Sequence, residues 1–248
     1  LRSSFILFFL LPLRPFVQKL TNKIMREINV KKVAEAVAET DEELMAEGWV
    51  KNPLENGYVL AAEELPEARD TTAVLKDKDG NESACEVTSY AAGCSSINST
   101  NLHEYLDRDD VLFIDLRDYN DYAKKHLRNF EVIPYFAYIF NAEAGTEGKP
   151  QLFGGSVAEP VATYEESVEI MEVLFPKDAT LFLMCQSGGR VAKCIQLLEA
   201  LGWDTSKIYN VGGMGQFTSD ALVAVTSNPA EMKLEATYSF EGLTPVAE

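Results

Sequence analysis

Leu181-Phe-Leu-Met-Cys185-Gln-Ser-Gly-Gly-Arg190-Val-Ala192 is an apolar run that stops at a cysteine and passes through a glycine-bearing loop into a helical pattern. Residues 180–184 read as a buried strand. Val191, Ile195, Leu198 and Leu201 then share one helix face that ends at Gly202, a stop signal. The loop between them curls where the free amides of a helix's first turn concentrate partial positive charge. A helix N-terminus and a neighbouring guanidinium both favour the thiolate of a cysteine, and only the thiolate is a good nucleophile, which singles out Cys185. Gly188 and Gly189 leave the loop without side chains, so successive N–H groups can converge on one anionic sulfur or oxyanion. Arg190 adds an always-charged fork for a small oxyanion. The plainer alternative, a buried strand-end cysteine, gives no reason for the Gly-Gly-Arg that follows.

Working outward, Cys185-Gln-Ser-Gly188-Gly-Arg190 resembles the Cys-x-x-Gly-x-Arg active loop of rhodanese-like sulfurtransferases. Val111-Leu-Phe-Ile-Asp115-Leu-Arg117, running on through Asp-Tyr-Asn-Asp-Tyr-Ala-Lys-Lys to His126, resembles that family's opening motif: a strand, Asp-x-Arg, a short helix and Gly-His-Ile. Ile208-Tyr-Asn-Val-Gly212-Gly213-Met-Gly-Gln-Phe217 resembles its closing motif. Two positions depart from the pattern: Lys125 stands where glycine is usual, and Phe217 near the usual tryptophan. The resemblance implies an α/β fold, a three-layer domain with a parallel sheet flanked by helices, joined here to a smaller amino-terminal α+β extension.

It also implies sulfur transfer through a persulfide on Cys185, with Gln186, Ser187, Gly188, Gly189 and Arg190 as the substrate-binding loop. Asp115 and Arg117 are then supporting residues that brace the loop by charge-assisted hydrogen bonds. The partners are a small sulfur donor, such as thiosulfate or a persulfide, and a thiol or cyanide-like acceptor; no cofactor and no metal is required. Two other readings stay open: a non-catalytic module that carries sulfur or binds a partner, and a phosphatase of related fold. Such phosphatases hold five residues between cysteine and arginine and a histidine before the cysteine. Here Gln186 to Gly189 lie between, and Met184 precedes the cysteine.

The surrounding pattern alternates. A short helix is expected over 101–106, a buried strand over 111–115, a helix over 119–125, a strand over 131–133 closed by Pro134, a helix over 164–174 and a last strand over 207–211. Alternating strands and helices predict a parallel sheet with its ligand site at the carboxyl ends, where Cys185 and Asp115 fall. His126 reads as structural or capping, because a thiolate held by amides needs no base. Cys194, on the helix face beside Val191 and Ile195, reads as a small core residue. Residues 141–163 show no period and read as a surface loop that could shape substrate access.

Composition bounds the rest. The 248 residues carry 22 Lys and Arg against 39 Asp and Glu, and the net charge of −17 repels nucleic acid and anionic membrane surfaces. Four cysteines in a chain of this length make no disulfide scaffold, and no Cys-x-x-Cys pair suggests a metal. The expected divisions are an apolar and basic leader over 1–24, an acidic extension over 25–98, the rhodanese-like domain over 99–226 and a carboxy-terminal tail over 227–248. The leader reads as an export signal, an anchor or a non-functional segment; its apolar core is too short to span a bilayer. Membrane association is expected only through it, and the cytoplasm is the expected compartment, with export or anchoring as the alternative. In the extension, 29–47 reads as a surface helix, and Asn56-Gly57 and Asp79-Gly80 as hairpin turns. Tyr90-Ala-Ala-Gly-Cys94-Ser-Ser has the look of a lipoprotein processing box, but the residues before it are too polar for a signal, so it reads as an exposed turn with an accessible cysteine.

Overall fold

The computed structural model describes residues 49–52, 57–60, 62–217, 226–227 and 238–247; the apolar leader and the helix expected over 29–47 lie outside them. The chain divides into two compact units, 1–63 and 64–248. In the first, β1 (Trp49–Asn52) pairs antiparallel with β2 (Gly57–Leu60). The second opens with an antiparallel hairpin of β3 (Val74–Lys76) and β4 (Glu82–Ala84). Its turn forms because Asp77 accepts from the N–H of Asp79 and the N–H and side chain of Asn81, as the Asp-Gly pair predicts.

The chain then runs through β5 (Val111–Asp115), α1 (Tyr119–Lys124), β6 (His126–Leu127), β7 (Glu131–Val132) and a π-helical turn, Tyr135–Ile139. It continues with β8 (Phe153–Gly155), β9 (Pro160–Ala162), α2 (Ser167–Leu174), β10 (Thr180–Cys185), α3 (Gly189–Ala200), β11 (Ile208–Gly213) and β12 (Thr226–Ser227). The central sheet has the order β11-β10-β5-β7 and is parallel throughout. Both of its faces are covered, which is why β10 is a continuous apolar run. Its side chains alternate between two layers. Leu181, Leu183 and Cys185 enter the core with Val191, Cys194, Ile195 and Leu198 of α3. Phe182 points the other way, among Phe113 at 5.4 Å, Tyr209 at 4.9 Å and Tyr105 at 6.0 Å.

Several expectations need correction. Residues 141–163 are not a plain surface loop: β8 and β9 form a hairpin there, and Leu152 and Phe153 are buried in the core. The helix expected over 101–106 is a single 3-10 turn, Leu102–Glu104. The helix expected from Tyr164 starts at Ser167, whose hydroxyl accepts the Tyr164 N–H and donates to Leu152 O. Cys94 is neither exposed nor free; it is fully buried and disulfide-bonded to Cys85, with the two Cα atoms 5.6 Å apart.

The end of the chain also packs on the core. Tyr238 donates to Val132 O at 2.5 Å, its ring lies 4.9 Å from Tyr138, and the N–H of Thr244 is held by Glu166. Lys125 has φ −167°, extended backbone that any residue adopts, so glycine is not needed there. Among the described residues no helix is long and apolar enough to cross a membrane.

Candidate active site

Cys185 ends β10 at the carboxyl edge of the sheet, and Gly188 N–H donates to its Sγ at 3.2 Å. Gly188 takes φ +96° and caps α3, so the chain reverses direction within three residues of the sulfur and turns its amide back toward it. Cys185 as a residue is only 2% exposed, whereas Gln186, Ser187 and Gly189 face solvent. The closing Gly-Gly explains itself here: a Cβ on Gly213 would lie 2.1 Å from Cys185 O, and the following Gly215 N–H donates to Gln186 O at 2.8 Å. β11 thus supports the loop from beneath, backbone against backbone.

Arg190, half-buried in the first turn of α3, donates to Leu116 O at 3.3 Å and lies 4.0 Å from Asp118 Oδ2. Its guanidinium sits 5.4 Å over the ring of Phe136, an exposed aromatic on the π-helical turn. Lys193, one turn further along α3, faces the same ring at 6.0 Å. The start of α3 therefore sets two cations against one aromatic face, on a chain that is otherwise strongly acidic.

Asp115 and Arg117 are joined as expected, with Arg117 Nη2 2.7 Å from Asp115 Oδ2 and both residues buried. Burial pushes the Asp115 carboxyl up, and the Arg117 guanidinium pulls against it. Their bracing goes elsewhere than expected, however. The remaining Arg117 donors reach Asp121 O and Lys125 O, so the pair clamps the turn from β5 into α1 and the end of that helix. Contact between β5 and the active loop runs instead through Leu116, whose N–H donates to Met184 O and whose carbonyl receives Arg190. His126 is buried, stacks on Tyr122 at 4.2 Å and places Nδ1 3.1 Å from Tyr122 O, a packing position at the end of α1.

Cys194 is fully buried, and burial pushes its thiol well up, with the nearby Cys185 adding to the shift. Three residues at the site escaped the sequence reading. Phe136 lies in a stretch of aromatics without a period. Asn210 is buried inside β11, and its carboxamide spans Gly188 O at 3.0 Å and Tyr90 O at 2.5 Å. Ala92 packs so closely that a Cβ on Gly188 would come within 2.7 Å of its own. A polar residue within an apolar strand was the available signal for Asn210. Among the described residues no cluster of His, Cys, Asp or Glu could hold a metal ion.

Residues 98–220 match the family model described as the rhodanese-like domain. The solved structures similar to this chain include a rhodanese with anions from E. coli, 16% identical over 48% of this chain and 98% of that one, with a TM-score of 0.28. They also include the rhodanese-like domain of an Anabaena sp. protein, 13% identical over 60% of this chain and 88% of that one, with a TM-score of 0.32. No curated protein matches the sequence.

Proposed function

Because the chain belongs to the rhodanese-like domain family through residues 98–220, we propose that it is a sulfurtransferase with Cys185 as its nucleophile. The family comprises sulfurtransferases and sulfur-carrying modules. The observation that carries the catalytic reading is the Gly188 N–H aimed at Cys185 Sγ from the capped start of α3, with Arg190 beside it in the same turn.

In the first step the Cys185 thiolate attacks the outer sulfur of thiosulfate or of a persulfide. A new S–S bond forms to Cys185, the donor's own S–S bond breaks, and its electron pair leaves with sulfite or with the donor thiolate. Loop amides stabilise the charge on the terminal sulfur of the resulting persulfide, as an oxyanion hole does for oxygen. Arg190 and Lys193 draw an anionic donor to the rim, and the Phe136 ring holds the guanidinium in place. In the second step an acceptor, a thiol or a cyanide-like nucleophile, takes the outer sulfur and restores the thiolate.

Intact-mass analysis after thiosulfate treatment tests this. One added sulfur is expected on the wild type and none on Cys185→Ser. Sulfur uptake that survives in Cys185→Ser, or its absence from the wild type with every common donor, would return the protein to the sulfur-carrying or partner-binding class.

A further inference from the structure

Asn210 is the meeting point of the active loop and the disulfide-closed segment 85–94. Both Nδ2 hydrogens are committed, one to Gly188 O at 3.0 Å and one to Tyr90 O at 2.5 Å, while Oδ1 accepts the Gly212 N–H at 3.2 Å. Gly188 O also receives the Ala192 N–H at 3.0 Å, the first bond of α3. That carbonyl is thereby fixed from two sides, by the helix and by β11. Gly188 is the residue whose own N–H points at Cys185 Sγ, with φ +96° and ψ −12°. Anchoring the carbonyl, together with the close packing of Ala92, restricts the Gly188 Cα and so the placement of the N–H it carries.

The other wall of this arrangement is the turn Ala92–Cys94. Ala92 blocks any outward movement of Gly188, since even one added methyl on the glycine would come within 2.7 Å of it. The turn is itself tied down: Cys94 is bonded to Cys85, Cys85 N–H donates to Ala73 O at 3.0 Å, and Asp70 N–H donates to Cys94 O at 2.7 Å. Tyr90, in the same closed segment, has its ring 5.0 Å beneath the Arg69 guanidinium. The segment lies before the residues matched by the family model, 98–220.

We propose that Asn210 is a positioning residue for Cys185, and that the Cys85–Cys94 disulfide, through Tyr90 and Ala92, supplies the fixed wall against which it works. The proposal rests on the reading of Cys185 as the reacting thiol, and it makes the reactivity of that thiol depend on a disulfide elsewhere in the chain.

The test is the rate of Cys185 alkylation by iodoacetamide as a function of pH, followed by peptide mass. It needs no sulfur donor, so it stands or falls separately from sulfur transfer. Asn210→Leu keeps the branched outline of the side chain and removes both donors and the acceptor. It is expected to slow alkylation at neutral pH about tenfold and to displace the profile to higher pH, the loss of one aimed hydrogen bond to an anion. The double variant Cys85→Ser/Cys94→Ser is expected to slow it about two- to threefold in the same direction. Should Asn210→Leu fail to fold, Asn210→Ser, which is smaller, carries the same test. A folded Asn210 variant with the wild-type rate and pH profile overturns the positioning role. A folded double serine variant with the wild-type profile overturns the part given to the disulfide.

Discussion

Two pairs of cysteines in this chain have the same spacing, nine residues, and opposite chemistry. Cys85 and Cys94 are disulfide-bonded, with a sequence separation of 9, whereas Cys185 and Cys194 are both free. What lies between them decides this. The segment from Cys85 to Cys94 is turn and 3-10 turn, so it folds back and brings the Cα atoms to 5.6 Å. Between Cys185 and Cys194 the chain leaves a strand, reverses once and enters a helix, which commits each sulfur to a different neighbour. Cys185 receives an N–H at 3.2 Å, while Cys194 is sealed in the core. Spacing alone carries no chemistry; the first pair closes a structure, and the second leaves one thiol beside a loop amide and the other packed in the core.

The largest expected effect breaks the second pair apart. Cys185 should react with iodoacetamide at least about a hundredfold faster than Cys194 in the native protein, since one has an aimed donor and an open loop and the other neither. Peptide mapping after a timed alkylation measures both in one sample. Comparable rates would mean that the loop does not distinguish the two thiols.

Next in size is the acid sensitivity of the region that follows the disulfide. His103, in the turn Leu102–Glu104, is buried with no hydrogen-bond partner at either ring nitrogen among the described residues, and burial pushes its pKa down from 6.5 to about 4. Between those values the unfolded chain binds a proton that the folded chain excludes, so stability falls as pH drops through 6.5 and levels off below about 4. The full cost is about 3 kcal/mol. His103→Leu should flatten urea midpoints across that range and leave alkylation of Cys185 unchanged. An unaltered acid transition would place the sensitivity elsewhere.

The disulfide itself ranks third. Opening a loop this short costs about 2 to 3 kcal/mol through the entropy returned to the unfolded chain. Thermal unfolding of Cys85→Ser/Cys94→Ser is expected to show that loss, and a midpoint equal to the wild type's would mean the closed segment adds nothing to stability.

The sequence was most legible where local pattern and burial agree. Val111–Asp115 is an apolar run ending in an acid, and Gly189–Ala200 has its apolar residues on one face; both elements form where they were expected. The hairpin of β8 and β9 was hidden because Gly154, Gly155 and Pro160 weaken any strand pattern, and what holds them is the burial of Phe153, a tertiary matter. The disulfide was hidden for the same reason: pairing depends on how the intervening turns fold. At the site, Cys185 and Arg190 were readable from their loop, but the destinations of the polar side chains were not. Arg117 was expected to reach the loop and instead clamps α1, while Asn210, unremarked in the sequence, reaches it.

The smallest effect concerns the aromatic ring beneath the cations of α3. Phe136 is 43% exposed and lies under both Arg190 and Lys193, at 5.4 and 6.0 Å, an arrangement that has no counterpart at the buried Cys194. An exposed cation–π contact is worth about 0.5 to 1 kcal/mol, which converts to about a two- to fivefold change in an equilibrium constant. Phe136→Leu keeps an apolar cover over the neighbouring Tyr135 but removes the quadrupole that holds the guanidinium. KM for thiosulfate should therefore rise about two- to fivefold with kcat nearly unchanged, because the ring orders Arg190 before the donor arrives and touches no breaking bond. A fall in kcat at constant KM would instead put the ring against the reacting sulfur and make Phe136 part of the chemistry.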